Sequence, residues 1–182
     1  NRMSRRILVI STSLRRNSNS EALANAFARG AQEAGAEVEQ VTLREKQIGF
    51  CRGCLACQRT GSCVQKDDAQ EIVAKMNYAD TIVFATPIYY YELSGQMKTL
   101  LDRANPLYGS DYHFREVFLL TAAAEDAPGV DRRAIGGLQG WIDCFDQVRL
   151  AGSLFAGGVN APGETDGHDA LRQAYELGLS QR

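Results

Sequence analysis

At 182 residues, with 45% hydrophobic and 23% charged residues, the chain suits one domain that buries roughly two thirds of its unfolded surface without staples. A net charge of −2 leaves no electrostatic footprint for nucleic acid, and no basic run marks a membrane surface. No apolar stretch reaches the ~20 residues that span a bilayer and no signal-peptide pattern opens the chain, so a cytoplasmic protein is expected.

Asn1 and Arg2 precede Met3 and are expected to be foreign to the natural start, which leaves a single domain over residues 4–182. Residues 7–10 form an apolar run, the expected form of a buried first strand. The loop after it carries Ser11, Thr12, Ser13, Ser18, Asn19 and Ser20, and feeds a helical pattern of Leu23, Ala26, Phe27, Gly30, Ala31 and Ala34. Helix starts offer free amides and a positive dipole end, and short hydroxyls beside them complete a phosphate site. One N-cap, Ser18 or Ser20, accounts for one hydroxyl and not for so many. The glycines of a dinucleotide fingerprint or a P-loop are absent before Gly30, so the loop predicts a side-chain-lined monophosphate site, as for a mononucleotide such as FMN.

Val38, Val41 and Leu43 mark a second strand over 37–43. Cys51, Cys54, Cys57 and Cys63 follow, spaced C-x2-C-x2-C-x5-C. Four clustered thiols in an intracellular chain favour metal or redox chemistry over a disulfide framework. Zinc usually takes two C-x2-C knuckles with a longer span between them, whereas this compact spacing suits a [4Fe–4S] cluster. A reduced or disulfide-forming loop that supports one wall of a site is the other reading. A C-x5-R phosphatase nucleophile is excluded, because no cysteine has arginine six positions later.

Asp67 or Asp68 caps a helix bearing Ala69, Ile72, Val73 and Met76. The third strand, 81–85, then breaks at Pro87, and the turn carries Thr86, Ile88, Tyr89, Tyr90 and Tyr91. Such a turn suits a flat aromatic ligand, with amides at the ring edge and tyrosines over its face. Ser94 caps the next helix, whose face is Met97, Leu100, Leu101 and Ala104. A fourth strand over 117–120 ends in Thr121, Ala122 and Ala123, small enough for a ligand to come close. Ile135, Leu138, Trp141, Ile142 and Phe145 mark a fourth helix, with Cys144 read as a buried thiol. A strand over 150–155, a long turn over 157–163 and a helix bearing Leu171, Ala174, Tyr175 and Leu179 close the chain. His113 and His168 read as surface residues. Five strands alternating with five helices imply a three-layer α/β sandwich, its parallel sheet in the flavodoxin-like order 2-1-3-4-5 with helices on both faces and the ligand loops after strands one, three and four.

The loop 13–20, the cysteine loop followed by Asp67 and Asp68, and Pro87-Ile88-Tyr89 leading to 94–98 and to Asp102-Arg103 together resemble the NADPH-dependent FMN reductase family of the flavodoxin-like superfamily, and within it the iron–sulfur flavoproteins. The resemblance implies an oxidoreductase passing electrons from NAD(P)H through FMN to a small acceptor. It implies that Ser13, Ser18, Asn19 and Ser20 hold the phosphate, with Ser11 and Arg15 in the same loop. Pro87, Ile88, Tyr89 and Tyr90 would line the flavin ring and ribityl chain, with Thr86 at their head and Thr121, Ala122 and Ala123 opposite. Cys51, Cys54, Cys57 and Cys63 match the cluster motif. Thr12 stands where the family usually has glycine before the serine. A homodimer or homotetramer is implied, and with a cluster present a ferredoxin-like partner. Hydride chemistry belongs to the flavin, so no catalytic acid or base is named. Arg15 and Arg16 are candidates for meeting the 2′-phosphate of NADPH. The rival functions are a flavodoxin-type electron carrier, for which a net charge of −2 is weakly acidic, and a zinc-stabilised binding module.

Overall fold

The strongest apolar runs become the interior of one sheet. β1 (Arg6–Ser11), β3 (Thr81–Tyr89) and β5 (Glu116–Ala122) are buried along most of their length, whereas β2 (Glu37–Thr42) and β6 (Arg149–Ala156) are more open and take the edges. The computed structural model describes residues 4–182, and Asn1, Arg2 and Met3 lie outside them. All five strands pair in parallel, in the order β2-β1-β3-β5-β6. A two-residue strand, β4 (Glu92–Leu93), pairs antiparallel with the end of β3. With β4 set aside, the order is the expected 2-1-3-4-5 of a flavodoxin-like sheet.

Alternation along each strand divides the core in two. Ile7, Val9, Val83 and Ala85 face α1 (Asn19–Glu33) and α6 (Asp169–Leu179), where Phe27 and Ala174 meet them. Leu8, Ile10, Ile82 and Phe84 face α3 (Asp68–Tyr78), α4 (Gly95–Arg103) and α5 (Arg132–Ile142), packing on Met76, Met97, Leu100 and Leu138. A single helical turn, α2 (Ala56–Thr60), interrupts the cysteine loop. The first face is closed by reciprocal glycines. A methyl on Gly30 of α1 would stand 2.1 Å from the carbonyl oxygen of Tyr175, and one on Gly178 of α6 would stand 2.1 Å from that of Phe27. The two helices therefore touch backbone to backbone.

Three expectations are corrected. β3 does not break at Pro87 but runs through it to Tyr89. Ala85 offers its carbonyl to Thr12 on the β1 side, and Pro87, two residues on, faces the same side beyond the end of β1, so no ladder donor is lost. Cys144 is exposed, because α5 ends at Ile142 and the thiol falls in the turn beyond it. His168 is no idle surface residue: its Nδ1 accepts the Ala170 amide at 3.0 Å to cap α6, and its Nε2 lies 3.1 Å from the Gly157 carbonyl. In the neutral ring Nε2 is then the donor.

Candidate functional site

The loops after β1 and β3 are stitched together below the surface by three hydroxyls. Thr12 donates from its amide and its Oγ1 to the Ala85 carbonyl, at 2.9 and 3.1 Å, and its Oγ1 lies 3.3 Å from Ser94 Oγ. Thr86 Oγ1 lies 3.1 Å from the same Ser94 Oγ and accepts the Ser94 amide, while Ser94 Oγ caps α4 by accepting the Met97 amide at 3.3 Å. All three side chains are fully buried, at 0% exposure. Thr12 thus uses its hydroxyl as an anchor where a glycine would have none.

Above this seam lies an open cavity of about 550 Å³, within the usual range for a small-molecule site. Its polar end is built by Ser13, Arg15, Ser18, Asn19 and Ser20 at the start of α1. Ser18 Oγ accepts the Glu21 amide at 3.1 Å as N-cap, and Asn19 and Ser20 supply the first-turn amides that a helix leaves without intrahelical acceptors. Arg15 reaches across to the Asn160 carbonyl at 2.9 Å, so its guanidinium spans the polar end. The Asn19 side chain has a second duty: it donates to Ala161 and accepts from the Thr165 amide, tying down the loop after β6. The opposite end is apolar, formed by Pro87, Ile88, Tyr89 and Tyr90 on one side and Ala122 and Ala123 on the other.

Ser11, Thr86 and Thr121 were expected here and do not line the cavity. Each is buried: Ser11 lies within the ladder of β1, Thr86 turns under α4, and Thr121 Oγ1 donates to the Leu154 carbonyl of β6. Arg16 pairs with Glu45 at the surface, outside the cavity. Conversely, Ala124, Val159 and Asn160 line it and were not among the expected residues. The signal for the last two was the Gly157-Gly158 pair. A methyl on Gly157 would stand 2.9 Å from the Glu125 carbonyl oxygen, a backbone atom, so glycine lets this loop fold in close against the loop after β5.

The tyrosine turn is a hairpin tip. Tyr89 pairs with Glu92, leaving Tyr90 and Tyr91 as a two-residue loop with φ of 50° and 67°. Left-handed backbone at both positions is the geometry that favours Asn-Gly, and for other residues it costs about 1–2 kcal/mol each. Tyr91 rests 5.7 Å from the Arg133 guanidinium, whereas Tyr90 is 98% exposed at the cavity rim. Strain of this kind tends to be held where a side chain is wanted for function.

The cysteine loop is held at both ends by one ion pair. Arg103, at the end of α4, is buried, and its Nη1 and Nη2 grip the two oxygens of Asp67 at 2.7 and 2.8 Å. Asp67 also accepts the Gly49 amide at 2.8 Å and the Ala69 amide at 3.1 Å, and Arg103 donates to the Gly49 carbonyl at 2.9 Å. The Arg103 guanidinium and these amides hold the Asp67 carboxyl down at about 2. Within the loop, Cys51, Cys54, Cys57 and Cys63 line one small cavity of about 30 Å³ together with Arg103 and Asn105. N–H groups already face the sulfurs: Asn105 Nδ2 lies 3.2 Å from Cys57, and the Gly53 and Gln65 amides lie 3.4 Å from Cys51 and Cys63. Among the described residues no three His, Cys, Asp or Glu side chains stand close enough to hold a single metal ion. Zinc would draw its thiolates to about 3.8 Å of one another, whereas an iron–sulfur cluster spreads them over separate irons. Four soft donors lining one pocket suit such a cluster. The flavin-sized cavity and the cysteine pocket share no residue.

An open parallel sheet with a hydroxyl-lined loop after its first strand and an aromatic loop after the next one inward defines a flavodoxin-like flavoprotein. The chain belongs to the NADPH-dependent FMN reductase family, whose model matches residues 5–134, and it is accordingly an FMN-dependent NAD(P)H oxidoreductase. It is 32% identical over 157 residues to an iron-sulfur flavoprotein of Methanocaldococcus jannaschii, covering 86% of this chain and 78% of that one. With an iron-sulfur flavoprotein of Archaeoglobus fulgidus it shares 29% identity over 164 residues, 90% of this chain and 73% of the other. The fold is similar to that of an NAD(P)H:quinone oxidoreductase from Methanothermobacter marburgensis, with a TM-score of 0.74 at 17% identity over 98% of this chain and 100% of that one.

Proposed function

We propose that the cavity above the Thr12–Ser94–Thr86 seam is the FMN site and that Cys51, Cys54, Cys57 and Cys63 hold a [4Fe–4S] cluster, so that the chain exchanges electrons between NAD(P)H and an acceptor as an iron–sulfur flavoprotein. The observation that carries this is the convergence of four thiols on one pocket, with N–H donors already turned to their sulfurs, in a chain similar to iron-sulfur flavoproteins over most of its length. When bound, the flavin supplies a two-electron acceptor for hydride and the cluster a one-electron store.

The residues bind and orient. Ser13, Ser18 and Ser20, the head of α1 and the Arg15 guanidinium receive the phosphate, where dipole and charge favour a dianion. Pro87 and Ile88 hold one wall of the ring site, and Ala122 and Ala123 leave room opposite. Tyr90, strained and exposed at the rim, covers the face that a nicotinamide or acceptor approaches. The polar groups here are hydroxyls, two side-chain amides and one guanidinium, which position a cofactor.

Phe50, Leu55 and Val64 are 80%, 62% and 58% exposed around the cysteines, an apolar rim suited to docking another chain, whether a second copy in a homodimer or homotetramer or a ferredoxin-like protein. Among the described residues no helix is long and apolar enough to cross a membrane. The test is an absorption spectrum of protein purified without oxygen, with iron and acid-labile sulfide assayed on the same sample. Flavin bands, a broad iron–sulfur absorbance and about four irons per chain are expected. Flavin without iron would reduce the reading to an FMN reductase with a cysteine-rich loop, and the absence of flavin would overturn it.

A further inference from the structure

The Arg103 guanidinium has one donor left over. Its Nη atoms serve Asp67, Gly49 and Gln65, yet its Nε is buried with no hydrogen-bond partner among the described residues. A buried N–H without an acceptor is costly, and a charged one more so. Arg103 is 2% exposed and lines the cysteine pocket, and it also lines a neighbouring cavity of about 490 Å³ to which Cys63 is the one cysteine that contributes. The carboxylate lies on the Nη side of the fork and the cysteines share the pocket, so the ion pair is a buried dipole with its positive end at the sulfurs.

We propose that Arg103 is the counter-charge of the cysteine centre, with its Nε–H donated to the Cys63 sulfur, and that it raises the reduction potential of the cluster those cysteines hold. The inference rests on the cluster reading above. Reduction adds one electron to the cluster and no proton, so the centre becomes more negative by one charge, and a fixed cation beside it stabilises the reduced form. Hydrogen bonds to ligand sulfur act in the same direction. Arginine stays protonated throughout, and burial protects its field from screening by salt.

The test uses anaerobically reconstituted wild type, R103Q, R103K and D67N, each assayed for iron and sulfide and titrated with dithionite as electron donor while the reduced cluster is followed by electron paramagnetic resonance. R103Q is expected to keep its iron and to lose at least tenfold in the reduced-to-oxidised ratio at a given potential, a shift of about 59 mV to the negative for one electron. R103K, which keeps the charge and loses the fork, shifts less in the same direction. D67N removes the negative end of the dipole and shifts the potential the opposite way, which a merely structural clamp would not do. An R103Q potential equal to wild type, or R103Q and D67N shifts of the same sign, would overturn the assignment. Should R103Q fail to fold, a D67N potential that stays put or falls overturns it equally. Wild type that takes up no iron overturns the cluster reading and this inference with it, whereas loaded variants with unmoved potentials overturn the role of Arg103 alone.

Discussion

Replacing Gly30 by alanine tests whether the α1–α6 contact sets the position of the serine-rich loop after β1. The new methyl would lie 2.1 Å from the Tyr175 carbonyl oxygen and 2.9 Å from the Leu179 amide, both backbone atoms that cannot rotate away. Ordinary contact begins at 3.4 Å, so the helices must part by 3.4 − 2.1, about 1.3 Å, or tilt to the same effect. Overpacking of this kind costs typically 1–3 kcal/mol, and the upper end applies because backbone is the obstacle. Alanine returns about 1 kcal/mol of helix propensity, leaving a net loss of about 1–2 kcal/mol and a fall in Tm of roughly 2–8 °C. The reciprocal Gly178→Ala, 2.1 Å from the Phe27 carbonyl, should behave alike. The double variant should lose clearly less than the sum of the two, because helices already parted for one methyl have room for the other. Urea unfolding followed by circular dichroism measures the stabilities, and quenching of flavin fluorescence measures FMN affinity, which should fall as Asn19 and Ser20 retreat with α1. A Gly30→Ala protein at least as stable as wild type, as helix propensity alone would give, refutes the reasoning.

Ser18→Ala should lose about 1 kcal/mol with the α1 cap and weaken FMN binding, while leaving riboflavin, which lacks the phosphate, unaffected; equal losses for both flavins would remove Ser18 from the phosphate site. Asp67 has its folded pKa lowered to about 2, so its contribution is present above the unfolded carboxylate value and is lost as pH falls towards 2. Since 18% of its side chain remains exposed, about 1–2 kcal/mol is expected as the gap between wild type and Asp67→Asn near neutral pH, closing below pH ~3 in urea titrations. Tyr90→Ala should leave stability within about 0.5 kcal/mol, because the side chain is almost wholly solvated, and weaken FMN binding roughly 2- to 10-fold in fluorescence titrations, the worth of one aromatic contact. An unchanged affinity would place the ring away from the flavin.

The sheet was legible because its inner strands are short apolar runs with helical patterns between them, a signal that needs no tertiary information. The cap Ser94 was legible for the same reason, since a cap is a local event, and the other two were narrowed to Ser18 or Ser20 and to Asp67 or Asp68, of which Ser18 and Asp67 serve. The hairpin tip was not, because Tyr90 and Tyr91 occupy positions that sequence rules reserve for Asn and Gly. Pro87 misled in the same way: whether its missing donor matters depends on where β1 stops, which β3 alone does not say. Arg103 and Asp67 are 36 positions apart, and the use of Arg103 by a cysteine loop has no local mark at all. The cavity-facing residues of the loop after β6 were hidden because small and polar residues in a long turn look alike whether or not they meet a ligand. The placement of Thr86 and Thr121 inside the core shows the converse, that hydroxyls at strand ends also serve to lock loops.

The hydroxyl seam of Thr12, Ser94 and Thr86 bears on how fast and how tightly a ligand exchanges. Its bonds run between protein groups alone, so the walls on either side are joined by the fold itself and not through a guest. The entropy that a floppy pocket surrenders on association is then already accounted for in folding, and the guest keeps more of its contact energy as affinity. Entry and departure become matters of diffusion past the rim and of the Arg15 to Asn160 tether, and the dissociation rate should respond to Arg15 more than to anything beneath the floor.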